Sequence, residues 1–107
     1  MPMWLTVGTH YAGQTSWWLN GHNNTVVAWA GRTFDSMTDA RKAANDFKTR
    51  SATVEFEVYE GPRGRWRWRA WHAQQQVAVS ANGFTTKQNA QRAAENVRAN
   101  AATSRGP

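Results

Sequence analysis

Alternation of apolar and polar positions is clearest from Val54 to Glu60. There Val54, Phe56 and Val58 share one face, and Glu55, Glu57 and Tyr59 share the other. This period of two is that of a half-buried strand. Gly61-Pro62-Arg63-Gly64 predicts a turn, because proline presets φ and glycine tolerates positive φ. Alternation resumes from Arg65 to Trp71, with Trp66 and Trp68 opposite Arg65, Arg67 and Arg69. A third strand is predicted near Gln76 to Ser80, carrying Val77 and Val79. The period then changes. Thr86 reads as a helix N-cap, and Ala90, Ala93, Ala94, Val97 and Ala101 follow at helical spacing.

The first half has the same order. A shift of fifty residues lays Val27-Ala28 on Val77-Ala78, Phe34 on Phe84, and Ala40, Ala43 and Ala44 on Ala90, Ala93 and Ala94. Trp18 falls on Trp68 and His22 on His72. Nearer the start the offset is fifty-one, pairing Leu5 with Phe56 and Val7 with Val58, which predicts one extra residue in the first hairpin loop. Asn20-Gly21 is a hairpin signal. Ser36-Met37-Thr38-Asp39 is a capping-box variant opening a helix expected to bury Met37, Ala40, Ala43, Ala44 and Phe47. Matching order and spacing predict a tandem repeat: residues 1–52, residues 53–102, and a polar tail, 103–107, expected to be disordered. Each β-β-β-α unit is too small to bury a stable core alone. The two are therefore expected to form one compact α+β domain with pseudo-twofold symmetry.

With the repeat laid out, the chain resembles the YegP-like proteins, which occur as single or tandem β-β-β-α repeats. Phe56-Glu57-Val58-Tyr59 is similar to their first strand, and Gly64-Arg65-Trp66-Arg67-Trp68-Arg69 to their Gly-x-Trp-Arg-Trp-Arg stretch. Gly83-Phe84-Thr85-Thr86-Lys87 resembles their helix entry, and Glu95-Asn96-Val97-Arg98-Ala99-Asn100-Ala101 their helix end. The first copy departs from the pattern: Trp17-Trp18-Leu19 replaces the Trp-Arg run, and Thr33 stands where Gly83 does. The resemblance implies two repeats around one α+β core. It implies no agreed activity.

Composition narrows the function. The 107 residues include seven Trp, four Phe and two Tyr, a dense supply of large apolar groups, and no Cys. Absence of Cys excludes a disulfide framework, a thiolate zinc site and a Cys nucleophile. No apolar run approaches the roughly 20 residues of a membrane span, and Met1-Pro2-Met3-Trp4 lacks signal-peptide character. A cytoplasmic protein without a membrane partner is expected. A net charge of +6 makes nucleic acid or another polyanion a candidate partner. Residues 1–52 hold five basic and three acidic side chains and the remainder eight and four, so the second copy is the more basic.

Arg65, Arg67 and Arg69 admit two readings. As a stripe beside aromatics they suit single-stranded nucleic acid. As an ordinary solvated face they pair with the neighbouring strand: a short loop would set Glu57 opposite Arg67 and Glu55 opposite Arg69, each pair worth roughly 0.2–1 kcal/mol. Alternation puts Trp18, Trp66 and Trp68 in the core, with Trp29, which aligns with Val79. Trp4, Trp17 and Trp71 fall at opposite-phase or end positions, either exposed or in a second core layer. His22 and His72 occupy equivalent turn positions and His10 a hairpin loop; no further ligand has metal-site spacing, so they read as turn residues. No acid pair, Ser-His-Asp order or phosphate loop occurs. Neither catalytic residues nor cofactors are expected.

The reading is a small non-catalytic binding module. It binds nucleic acid or another polyanion weakly through Arg63, Arg65, Arg67, Arg69, Lys87 and Trp71. The alternative is a protein-interaction or accessory module, monomeric or homodimeric, anchored by Trp4, Trp17 and Trp71. Whether Arg67 and Arg69 lie free or locked to Glu55 and Glu57 separates the two.

Overall fold

The computed structural model describes residues 3–9, 14–21 and 25–106. In chain order the elements are β1 (Trp4–Thr9), β2 (Thr15–Asn20), β3 (Val26–Trp29), α1 (Met37–Arg50), β4 (Glu55–Glu60), β5 (Trp66–His72), β6 (Gln75–Ser80) and α2 (Lys87–Asn100). The β-β-β-α order thus occurs twice. All six strands join one sheet in the order β1-β2-β3-β6-β5-β4, every neighbour antiparallel. The halves meet at β3 and β6, where Trp29 lies opposite Val79 and Ala28 opposite Ser80. Residue 29 shifted by fifty is residue 79, so the pseudo-dyad passes through this pair.

Both helices are capped as their sequences predict. Ser36 Oγ accepts from the Asp39 N–H, and Thr86 Oγ1 from the Asn89 N–H, each at 3.1 Å. Ala40, Ala44 and Phe47 of α1 and Ala90, Ala94 and Val97 of α2 are buried against the sheet. Met37, expected inside, is 41% exposed, because it opens the helix before the apolar stripe reaches the sheet. The covered face of the sheet carries Leu5, Trp17, Leu19, Ala28, Trp68, Ala70 and Ala78, all buried. Trp17 stacks on Phe47 with ring centroids 5.1 Å apart, and Phe56 lies 5.3 Å from Trp68. Alanines on the helices let them approach closely, and tryptophans fill the volume beneath.

The strand register corrects the alignment of the halves. Paired residues lie ten apart in both first hairpins, Val7↔Trp17 and Val58↔Trp68. In the second hairpins they lie nine apart at Leu19↔Ala28 and eight apart at Ala70↔Ala78. The extra residue of the first copy therefore sits in its second hairpin loop, not its first. Trp17 rather than Trp18 becomes the counterpart of Trp68, and a one-residue slip exchanges the two faces of a strand. Trp17 is 1% exposed, not an exposed anchor. Trp18 and Trp29, expected in the core, lie half-buried on the opposite face, and Trp66 keeps the helix-covered face but is half-buried at the margin of the core. Cross-strand pairs draw one row across that outer face: Thr6, Trp18, Trp29, Val79, Arg69 and Glu57. Of the Asn20-Gly21 turn, residues 22–24 lie outside the described residues; the Gly21 N–H closes the loop onto the Thr25 carbonyl at 2.8 Å.

The tail is held rather than frayed. The Leu5 N–H donates to the Arg105 carbonyl at 2.7 Å, and the Arg105 N–H to the Met3 carbonyl at 2.8 Å. Lys48 Nζ donates to the Gly106 carbonyl, and Ser104 is buried. The edge of β1 supplies backbone partners that a solvated tail would lack. Among the described residues no helix is long and apolar enough to cross a membrane.

Ala73 and Gln74, which turn β5 into β6, both adopt positive φ, 50° and 67°. A tight hairpin turn of this hand favours Asn-Gly, and side chains without that tolerance cost roughly 1–2 kcal/mol per residue there. The double substitution Ala73→Asn, Gln74→Gly should stabilise the protein by about 1 kcal/mol, raising Tm by roughly 4–8 °C in thermal unfolding. An unchanged or lower Tm would contradict a strained turn.

Candidate polyanion-binding surface

The turn between β4 and β5 sets the charge pattern of the outer face. Pro62–Gly64 form a single tight turn. The Gly61 N–H donates to the Arg65 carbonyl at 2.6 Å and the Arg65 N–H to the Pro62 carbonyl at 3.3 Å. Gly64 takes φ 71°, and Arg63, not Gly61, takes the other left-handed position, at φ 63°. The loop is longer than the alternation suggested, so pairing moves by two residues. Glu57 lies opposite Arg69, Tyr59 opposite Arg67 and Glu55 opposite Trp71. A two-residue move keeps every side chain on its expected face while changing its partner.

Arg69 is consequently the locked arginine. Its Nε lies 2.6 Å from Glu57 Oε1, and its guanidinium sits 4.3 Å from the Tyr59 ring centroid and 5.2 Å from that of Trp71. The Trp71 indole N–H donates to the same Glu57 oxygen at 3.1 Å. Hydrogen bonds from Arg69, then from Trp71, hold the Glu57 carboxyl below its ordinary value.

Arg63, Arg65 and Arg67 are differently placed. With Tyr59, Pro62 and Gly83 they line a shallow depression at the turn end of the β4–β5 hairpin. Among the described residues the ion pairs are Arg69–Glu57 and Arg98–Glu95, so none of these three arginines is paired with a carboxylate there. Two glycines make room for them. A Cβ at Gly83 would meet the Arg65 side chain at 3.0 Å, and one at Gly61 would lie 3.4 Å from Arg67 Cδ. Glu60 is the acid closest to the tip, its Oε2 turned toward Gly64.

Of the remaining candidates, Lys87 does not join the depression. Its Nζ lies 5.9 Å from the ring centroid of Trp66, which alternates with Arg65 and Arg67 and faces the helices. Trp71 belongs to the Arg69 cluster. Trp4 is 46% exposed with the Arg105 guanidinium 5.5 Å from its ring centroid. Tyr59 is the site residue that composition did not single out; its alternation with Glu57 was the available signal. No group of three His, Asp or Glu among the described residues is arranged to hold a metal. His10 and His22 lie outside the described residues.

No family model matches the chain. Over 40 residues it is 38% identical to UPF0339 proteins of Neisseria meningitidis serogroup B and serogroup A, covering 37% of this chain and 71% of each relative. The solution NMR structure of a UPF0339 protein of Shewanella oneidensis matches with a TM-score of 0.80 and 14% identity, over 95% of this chain and 86% of that one. The solution NMR structure of YegP of E. coli, a protein of unknown function, matches with a TM-score of 0.80 and 19% identity, over 97% and 90%. At these identities the structural likeness establishes the fold.

Because the folded pKa of Glu57 lies below its unfolded value, its contribution to stability is complete above the unfolded value. That contribution is lost as pH falls through the folded one. Thermal unfolding of wild type and Glu57→Gln should therefore differ most near neutral pH and converge in acid. A Tm difference constant from neutral to acid pH would exclude an ionised Glu57 as the centre of the cluster.

Proposed function

The chain belongs to the UPF0339 (YegP-like) family, and from its own surface we propose that it is a small non-catalytic module that binds nucleic acid or another polyanion weakly. The supporting observation is the depression where Arg63, Arg65 and Arg67 converge beside Tyr59 with no acidic residue in its lining. Three guanidinium groups give bidentate donors for phosphate oxygens, and an aromatic ring beside them offers a stacking surface for a base. The Arg69–Glu57–Trp71 cluster shapes this surface without contributing free charge. Lys87 and Trp71 belong to its surroundings.

A second reading rests on the outer face of the sheet. Trp18, Trp29 and Val79 form adjoining cross-strand pairs there, on the side away from both helices, and Trp4 stands exposed at its edge. Tyrosine and tryptophan in such rows serve as anchors for protein partners. Under this reading the positive charge serves mainly solubility.

Fluorescence titration with single-stranded and duplex oligonucleotides at about 50 and 200 mM salt tests the first reading, each phosphate contact contributing a log-log slope of roughly −0.7 on single strands and −0.9 on duplex. Arg63→Ala, Arg65→Ala and Arg67→Ala together should flatten the single-strand slope by about 2, whereas Arg69→Ala should leave the slope unchanged and lower Tm. Absence of binding at low salt, or a slope indifferent to the triple substitution, would turn attention to the tryptophan face.

A further inference from the structure

A cleft of about 340 Å³ opens on the helix side of the sheet, between α1 and the β5–β6 hairpin, a size in the range of small-molecule sites. Its accessible floor is apolar, formed by the half-buried Phe34, Ala43 and Val77 beside the buried stack of Trp17 on Phe47. One stripe of α1 forms a wall: Ala43, Asp46, Phe47 and Arg50 follow the i, i+3, i+4, i+7 rule. Ala43 leaves the space that a larger side chain would fill. Arg32 faces this wall, its guanidinium 4.7 Å from the Phe34 ring centroid. His72, Gln75 and Gln76 close the third side. They are brought there by the positive-φ turn at Ala73-Gln74 and by the bulge at Ala70/Trp71, a device that re-aims side chains.

The two halves of the fold present equivalent positions here, and their chemistry diverges. The relation that lays Phe34 on Phe84 and Ala43 on Ala93 lays Arg32 on Asn82, Asp46 on Asn96 and Arg50 on Asn100. The second half is satisfied by three neutral amides; Asn100 Nδ2 donates to the Asn96 carbonyl and to Asn96 Oδ1, each at 2.8 Å. The fold therefore does not demand charge at these positions. The first half nevertheless concentrates two guanidiniums and a carboxylate around an apolar floor. Among the described residues none of the three takes part in an ion pair.

We propose that this cleft binds a small molecule combining a flat aromatic ring with an anionic group. The ring lies against the half-buried apolar surface of Phe34, Ala43 and Val77. Arg32 and Arg50 take the anion, for which guanidinium is suited over ammonium by its forked donors. Asp46 accepts from a ring N–H or amino group of the ligand. Gln75 and Gln76 supply further hydrogen bonds at the rim. The site is separate from the Arg63–Arg67 depression and does not depend on the polyanion reading.

The test is titration of the protein with three probes: indole-3-acetate, adenosine 5′-monophosphate and, as a neutral control, indole. Binding is followed by the NMR signals of the Trp17 indole N–H and the Gln75 and Gln76 side chains. At least one anion should produce saturable shifts confined to the cleft, with indole weaker by about tenfold, the worth of one charge-assisted hydrogen bond. The tighter anion distinguishes a carboxylate from a phosphate ligand. The triple substitution Arg32→Asn, Asp46→Asn, Arg50→Asn copies residues the second half already accommodates, so the fold is retained. Saturable binding should be lost in this variant and, independently, in Ala43→Leu, which fills the space without changing charge. The proposal is overturned if neither anion gives saturable shifts at millimolar concentration, if indole binds equally well, if the triple substitution leaves affinity intact, or if the shifts fall on the Arg63–Arg67 edge instead.

Discussion

The antiparallel contact of β3 with β6 turns two units, each too small to bury its own core, into one six-stranded sheet. Without it each half would expose a strand edge and the apolar flank of its helix. With it, α1 reaches over β6 and α2 over β3, so each helix covers a strand of the other half. Small residues at the centre, Ala28, Ala30, Ala78 and Ser80, keep this crossing low. The bulk comes from Trp17 and Trp68 on either side. Truncating a buried tryptophan to alanine costs on the order of 3–5 kcal/mol, against a total stability for such domains of roughly 5–15 kcal/mol. The two tryptophans and the central strand pair are therefore interdependent.

The same sheet distributes the positive charge unevenly. Five residues of loop between β4 and β5 place Arg69 against Glu57, where the rings of Tyr59 and Trp71 flank its guanidinium. Arg65 and Arg67, nearer the tip, run out of acidic neighbours because β4 ends at Glu60, which turns toward Gly64. One strand thus carries both a structural arginine and a pair with no carboxylate partner among the described residues. The glycines of the Gly-x-Trp-Arg-Trp-Arg stretch and of the helix entry have a physical reason here: Gly64 takes a left-handed φ, and Gly83 leaves room for Arg65.

The halves share a backbone plan and differ in the side chains it carries. The second copy keeps the arginine strand and fills its helix-side positions with asparagines. The first copy has Trp17-Trp18-Leu19 in place of that strand and gathers Arg32, Asp46 and Arg50 beside α1. A pseudo-symmetric frame permits this, since surface positions can differ between the halves while both contribute to the common core.

Element types and their order were legible in the chain, because period-two alternation, the Ser36 and Thr86 caps and the alanine stripes are local signals set by neighbouring residues. The facing of β4 and β5 was legible for the same reason. The partner of each side chain was not, since a loop longer by two residues preserves every face and changes every pair: Glu57 met Arg69 instead of Arg67. In the first copy, alignment by residue type placed Trp18 on Trp68, although one added residue in the second hairpin loop makes Trp17 the counterpart, and this reversed which tryptophan is buried. Tertiary structure alone decided that the polar tail pairs with β1. It alone brought residues as distant as Arg32, Arg50 and Gln76 to one cleft, because such proximity depends on strand order and hairpin register rather than on any local pattern.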